Sequence, residues 1–250
     1  PWEGTTVIGT TDLDHDEDLD IEASINNAEV DYLLQAFNVQ FPGHTISRVD
    51  IISSWAGVRP VIGSESSKDP SKERRDHAVW SDNGLITVSG GKLTTFRLIA
   101  LDALNAALPQ LPNAKPFSDE RVFIAPDLTA KELIAEDPVW AQRLLGRYGI
   151  QAKAMLDSAP ASEHQRIPGT DFCLAECRWA ARNEAVLHLD DLLLRRTRLG
   201  MVMVHGGSEL FPALEAICAA ELGWSGDHWR HEAKRYLDIW QRFYSLPKSN

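Results

Sequence analysis

Hydrophobic residues change their spacing along the 250-residue chain, and the change marks two regions. Up to about residue 108, short β-branched runs alternate with helical periodicity. Thr5-Thr-Val-Ile-Gly9 is a β-branched run with a glycine stop and predicts a strand. Val30, Leu33, Leu34 and Phe37 recur at i, i+3, i+4 and i+7, which predicts an amphipathic helix. Asn26 stands at its N-cap, with Glu29 placed to complete a capping box. Asp50-Ile-Ile-Ser-Ser-Trp-Ala-Gly57 is β-prone. His77 to Ser81 and Leu85 to Ser89 predict two strands joined at Asp82-Asn83-Gly84, a hairpin turn. Gly90-Gly-Lys-Leu-Thr-Thr95 then opens a helix to about Leu108. Its apolar residues Phe96, Leu98, Ile99, Leu101 and Leu104 point in several directions, which predicts burial on more than one side.

Residues 109–126 hold four prolines and no periodicity, so they read as a linker. Beyond them nearly every segment has helical spacing. Pro138 to Tyr148, Cys173 to Leu187 and Leu189 to Leu199 are three such segments. Ser208 caps a segment holding Leu214, Ile217 and Cys218. Ser225 opens the clearest helix, with Trp229, Ala233, Tyr236, Leu237, Trp240, Phe243 and Tyr244 on one stripe. The expected fold class is an α/β region of mixed strands and helices, residues 1–108, followed by an all-α C-terminal domain, residues 127–250.

Composition narrows the function classes. The chain is 44% hydrophobic and 24% charged, ordinary for a folded domain and too apolar for a disordered one. Its net charge of −11 argues against a nucleic-acid binder. Three cysteines make no disulfide framework, and the odd count suggests a reducing compartment. No apolar run approaches the roughly 18 residues of a membrane span; the Leu98 to Leu108 run is broken by Asp102 and Asn105.

Several segments could carry chemistry. Asp12, Asp14 and Asp16 are spaced as in a calcium loop, but Glu17 replaces the turn glycine and Ala23 the closing glutamate. This acidic stretch therefore reads as a solvated loop. Cys173 and Cys177 are one helical turn apart with no second zinc-like pair, so they read as structural thiols and no metal ligand is assigned. Arg195-Arg-Thr-Arg198 reads as a helix-end structural cluster. The strongest signal is Gly90 to Thr95. A strand, two glycines and a helix N-terminus aim backbone N–H groups at a ligand, and Lys92 adds a full charge. Such a turn suits a phosphate or an anionic flavin edge; it is also an ordinary strand-to-helix turn. Arg59, before Pro60, has the fork that a phosphate or carboxylate accepts, or is simply an exposed strand-end residue.

Gly9-Thr-Thr-Asp12, Tyr32-Leu-Leu with Asn38, Asp50-Ile, Ser54-Trp-Ala-Gly-Val-Arg-Pro60, Arg75-Asp76 and Ser89-Gly-Gly-Lys-Leu-Thr-Thr95 occur in order and at matching spacing. Together they resemble the FAD-dependent, respiratory glycerol-3-phosphate dehydrogenases of the D-amino-acid-oxidase superfamily. Leu192 to Gly200 is similar to that family's C-terminal helical domain. The resemblance implies oxidation of glycerol 3-phosphate to dihydroxyacetone phosphate with FAD as cofactor, and electrons passed to a quinone or, in the oxidase branch, to oxygen. It implies that Arg59 faces the substrate, that Arg75 and Lys92 hold its phosphate, and that Gly90, Gly91, Lys92, Leu93, Thr94 and Thr95 wrap the flavin ring. It further implies a cytoplasmic enzyme, peripheral on the inner face of the plasma membrane, with a homodimer among its allowed assemblies.

The family's G-x-G-x-x-G pyrophosphate fingerprint does not occur in these 250 residues. The expectation is therefore a C-terminal portion of the enzyme that binds FAD weakly when isolated, with membrane contact supplied by an N-terminal portion. Two rival readings are an amine or amino-acid oxidase of the same superfamily and a non-catalytic helical module that binds a partner.

Overall fold

The structure is a computed structural model and describes residues 1–59, 77–115 and 127–248. In chain order these residues form α1 (Asn27–Gln40), β1 (His77–Asp82), β2 (Leu85–Gly90) and α2 (Phe96–Ala107). Then follow α3 (Ala130–Leu133), α4 (Pro138–Tyr148), α5 (Ala152–Asp157), α6 (Leu174–Asn183), α7 (Leu199–Val202), α8 (Phe211–Leu222) and α9 (Gly226–Ile239). The chain divides into two compact units. One comprises Pro1–Thr11, Glu17–Gly57 and Ile124–Asn250; the other comprises Asp12–Asp16 and Val58–Phe123.

The smaller unit is built on an antiparallel hairpin. β1 pairs with β2 in a register that runs from His77 opposite Gly90 to Asp82 opposite Leu85. Asn83 and Gly84 both have positive φ, 48° and 88°, which is what a tight primed turn between twisted strands demands. α2 packs on both strands. The sequence pattern predicts α2 buried on several sides, but none of its residues is buried in the structure. Phe96 and Leu98 are 52% and 54% exposed, and the hairpin is the main partner the described residues offer this helix.

The larger unit carries the hydrophobic core. The expected capping box at α1 is present: Glu29 N donates to Asn26 Oδ1 at 3.0 Å, and Asn26 N donates to Glu29 Oε2 at 3.0 Å. α4 and α5 bury Leu144 and Met155 in one cluster, which Trp140, Cys173 and Ala175 complete. A larger cluster gathers Phe172, Leu189, Leu192, Leu193, Leu199, Leu214, Ile217, Tyr236 and Trp240. α6 packs on α8, and α8 on α9. Before α7 the chain makes a π-helical turn, Asp191–Arg196, closed by a 3.0 Å bond from Thr197 N to Leu192 O. Leu192, Leu193 and Leu194 are all buried there. Arg195 and Arg196 of the Arg195 to Arg198 cluster do serve structure at this point. Arg195 Nη1 donates to Asp190 and Asp191 at 2.6 and 2.9 Å, and Arg196 Nε donates to Glu184 O at 2.5 Å.

Several sequence expectations need correction. Thr5 to Gly9 is no strand; beyond an isolated bridge from Trp2 to Thr5 it forms no ladder with any described segment. Asp50 ends a short 3-10 turn, Arg48–Asp50, and residues 51–57 pair with no strand among the described residues. They are held instead by single bonds to carbonyls at helix ends: Ser53 Oγ to Met201 O at 2.6 Å, Ser54 N to Tyr244 O at 2.8 Å and Ser54 Oγ to Ser245 O at 3.2 Å. Ser208 lies inside a turn, and Leu210 is the N-cap of α8. α9 buries Trp229, Glu232 and Tyr236, and the π-helical turn that follows it, Trp240–Tyr244, buries Trp240, whereas Leu237 is 36% exposed.

Segments from before the proline-rich stretch join this unit through charge as well. Arg143 Nε donates to Glu3 Oε2 at 2.7 Å, and Arg143 Nη1 donates to Glu176 Oε1 at 2.9 Å. The Tyr148 hydroxyl also donates to Glu176 Oε1, at 3.0 Å. Glu176 Oε2 accepts the Cys173 N–H at 3.0 Å, completing the N-terminal box of α6. Arg143 and Arg147 stack over the buried Phe172 ring, 4.4 and 5.1 Å from its centroid.

Candidate functional site

β2 ends in Gly90, and the chain turns through Gly91 and Lys92 into a single helical turn, Leu93–Thr95, that leads into α2. Gly90 and Gly91 have φ of 76° and 84°, left-handed values that a side chain would strain. At Gly91 the strain would be compounded, because a Cβ there would press on Ile99 and lie 3.2 Å from the His77 Cβ. That glycine is required by packing inside the turn, which is a reason the sequence pattern did not contain.

The helix end beyond the glycines is open. Neither Lys92 nor Thr95 uses its side chain as a cap, and no acidic residue lies in the first turn of either helical segment. The Thr95 hydroxyl is turned back to Lys92 O at 3.0 Å. The positive end of the helix dipole therefore has no acidic side chain in its own first turn. Lys92, Leu93, Thr94 and Thr95 are all exposed, and Leu93 is 87% exposed. A helix start without an acidic cap, beside the exposed Leu93 and Phe96 side chains, suits a flat apolar ring with an electron-rich edge, the chemistry of a flavin.

Arg59 lies two residues beyond Gly57, outside any helix or strand. Its Nη2 is 3.3 Å from Asp12 Oδ1, and both side chains are 51% exposed. Asp12, which the sequence places in a solvated acidic loop, is thus a partner of the candidate substrate arginine. Arg75 lies outside the described residues. The structure thus gathers Gly90 to Thr95 into one loop and sets Arg59 against Asp12.

Residues 1–97 match the model of the FAD dependent oxidoreductase family, and residues 126–228 match the model of the C-terminal domain of alpha-glycerophosphate oxidase. The chain is 34% identical over 253 residues to a glycerol-3-phosphate dehydrogenase of Mycobacterium leprae (strain TN), covering 94% of this chain and 42% of the relative. The chain belongs to the FAD-dependent glycerol-3-phosphate dehydrogenase family.

Other members lie further off. The mitochondrial glycerol-3-phosphate dehydrogenase of Mus musculus is 30% identical over 244 residues, covering 90% of this chain and 33% of the relative. The chain thus spans less than half the length of these curated family members. A crystal structure of the glycerol-3-phosphate dehydrogenase from Bacillus halodurans, complexed with FAD, has the same fold. The TM-score is 0.64 at 24% identity, covering 94% of this chain and 47% of that one. FAD is the cofactor of the family.

Sequence reasoning missed one polar pair beside this turn. His77 Nε2 lies 2.7 Å from Asp102 Oδ2. The signal was Asp102 itself, a carboxylate that interrupts an apolar helix. It also missed the burial of Glu176. Burial pushes the Glu176 carboxyl above the usual range, against the opposing pull of the Arg143 charge. The three thiols are buried and unpaired with one another. Burial pushes Cys173 and Cys218 up to about 12, with the Glu176 charge adding to the effect at Cys173.

Proposed function

We propose that these residues form the substrate-facing and C-terminal parts of an enzyme that oxidises sn-glycerol 3-phosphate to dihydroxyacetone phosphate. The observation that carries this reading is the order of two family matches on one chain. The flavin-dependent oxidoreductase match comes first, with Ser89-Gly-Gly-Lys-Leu-Thr-Thr95 near its end, and the glycerophosphate oxidase C-terminal match follows. FAD, when bound, supplies the two-electron acceptor that the conversion of a secondary alcohol to a ketone requires. The chain's own residues bind and orient. Gly90 to Thr95 lie along the flavin ring and turn the helix-end amides toward its electron-rich edge. Lys92 and Arg75 hold the phosphate dianion, and Arg59 orients the substrate with its planar fork. This basic set disfavours an amine substrate.

In this reading residues 1–108 belong to the flavin and substrate domain, 109–126 link, and 127–250 form the helical domain. A quinone takes the electrons at the inner face of the plasma membrane, which the enzyme meets peripherally. The name of a relative from Staphylococcus saprophyticus, aerobic glycerol-3-phosphate dehydrogenase, supports an electron-transport role. No helix among the described residues is long and apolar enough to cross a membrane.

The test is steady-state kinetics of the flavin-loaded enzyme with an artificial electron acceptor. Arg59→Ala lowers kcat/KM for glycerol 3-phosphate about ten- to a hundredfold, the worth of one hydrogen bond to a charged group, with flavin content unchanged. Arg59→Lys restores little, because an ammonium cannot make the fork. Parent-like kinetics in Arg59→Ala with full flavin would overturn the assignment.

A further inference from the structure

A turn made by two consecutive glycines has little stiffness of its own. Gly90 and Gly91 therefore do not by themselves determine where the next residue, Lys92, emerges. The structure places a brace across them. His77 opens β1 directly opposite Gly90 in the hairpin register. Its Nε2 lies 2.7 Å from Oδ2 of Asp102, which stands on the second turn of α2. The bond thus joins the strand side of the glycine turn to the helix side. The same histidine walls the turn from within: a Cβ on Gly91 would lie 3.2 Å from the His77 Cβ, with Ile99 of α2 closing the other side. The His77 side chain is only 19% exposed, which shields the bond from competing water, while Asp102 is 45% exposed.

We propose that His77 and Asp102 are positioning residues whose bond sets the angle of the Gly90–Gly91 turn and so fixes where Lys92 presents its ammonium to the substrate phosphate. The inference rests on the reading of Lys92 as a phosphate ligand. Neither side chain has to touch the substrate. Each acts on Lys92 through the backbone, and a shift of an ångström in a binding group is enough to weaken its contact severely.

Two measurements test it. The first is amide hydrogen exchange on this chain, which does not depend on flavin. Asp102→Ala speeds exchange at Gly91, Lys92 and Leu93 about tenfold, while amides in α9 keep the parent rate. His77→Gln, which keeps an N–H to donate to Asp102, stays close to the parent. Unchanged exchange in Asp102→Ala, or acceleration spread evenly through β1, β2 and α2, overturns the brace. The second measurement uses inorganic phosphate as a competitive inhibitor of the flavin-loaded enzyme. Asp102→Ala raises its inhibition constant about tenfold, and His77→Gln remains near the parent value. If Lys92→Met weakens phosphate inhibition while Asp102→Ala does not, the brace is wrong and the reading of Lys92 stands. If Lys92→Met leaves phosphate inhibition unchanged, the reading of Lys92 falls, and the exchange experiment still decides whether the turn is braced.

Discussion

The Tyr236 hydroxyl donates a 2.6 Å hydrogen bond to the carbonyl oxygen of Gly206, inside the core of the helical unit. Gly206 has φ of 66°, and a Cβ there would lie 2.9 Å from both the Trp240 ring and the Tyr236 hydroxyl. Tyr236→Phe leaves that carbonyl without its partner and lowers stability by about 1–3 kcal/mol. Gly206→Ala adds backbone strain to a clash with α9 and costs more. Urea unfolding followed by tryptophan fluorescence ranks the two. Equal midpoints for Tyr236→Phe and the parent would show that the bond contributes nothing.

Glu176 is fully buried and shared by Arg143, Tyr148 and the Cys173 N–H. Removing one member of a buried ionic set leaves the others desolvated and unpaired. Glu176→Ala is therefore expected to lose roughly 3–5 kcal/mol. Glu3→Ala, which removes an outer member of the same set, is expected to lose less. Denaturant midpoints of the two variants check the order.

Stability should fall in acid for a traceable reason. Burial opposes ionisation of Asp190, but hydrogen bonds from Arg195 and Arg235 outweigh it and hold the carboxyl below its ordinary value of 3.8. The Arg182 bond, joined by Arg178, holds Glu221 below its ordinary 4.5 against burial. Groups with a lowered folded-state pKa contribute stability that is fully present above the unfolded value and disappears as pH falls through the folded one. Asp190→Asn should be less stable than the parent at neutral pH by roughly 1–3 kcal/mol. The gap should close as pH drops below 3.8. A gap that stays constant with pH would rule out the ionic origin.

The thiols should be silent in the folded protein. Burial alone raises Cys218 to about 12 and, with the Glu176 charge, Cys173 to about 12. Cys177 is also pushed well up, by burial first and then the charge of Glu176. Thiolate is the reactive form, so an aromatic disulfide reagent at mildly alkaline pH should label none of the three until denaturant is added. Rapid labelling of the native protein would mean that α6 and α8 open far more readily than their packing implies.

What could be read from the residues alone was whatever depends on near neighbours. The capping box of Asn26 and Glu29, the hairpin around Asn83-Gly84, α4 from Pro138 to Tyr148 and the Ser225 start of α9 are local devices. Their hydrogen bonds close within a few positions of the chain. The motif order from Gly9 to Thr95 also sufficed to identify the family. The glycine-lysine turn was recognisable because its function needs a fixed short string of residue types.

Tertiary structure decided the rest. A β-branched run becomes a strand only beside another strand, so Thr5 to Gly9 could not be settled by its own composition. Ser53 and Ser54 bond to carbonyls at Met201, Tyr244 and Ser245, far away in sequence, and no periodicity announces such a partner. Glu176 looked like one more charged helix residue until folding brought Arg143 and Tyr148 to it. His77 and Asp102 are 25 residues apart, and they meet only because the hairpin returns the chain to the helix that follows it. Polar side chains several turns or a whole element apart carry no spacing rule. Their pairing is a property of the packed backbone, and the brace at the glycine turn is visible only there.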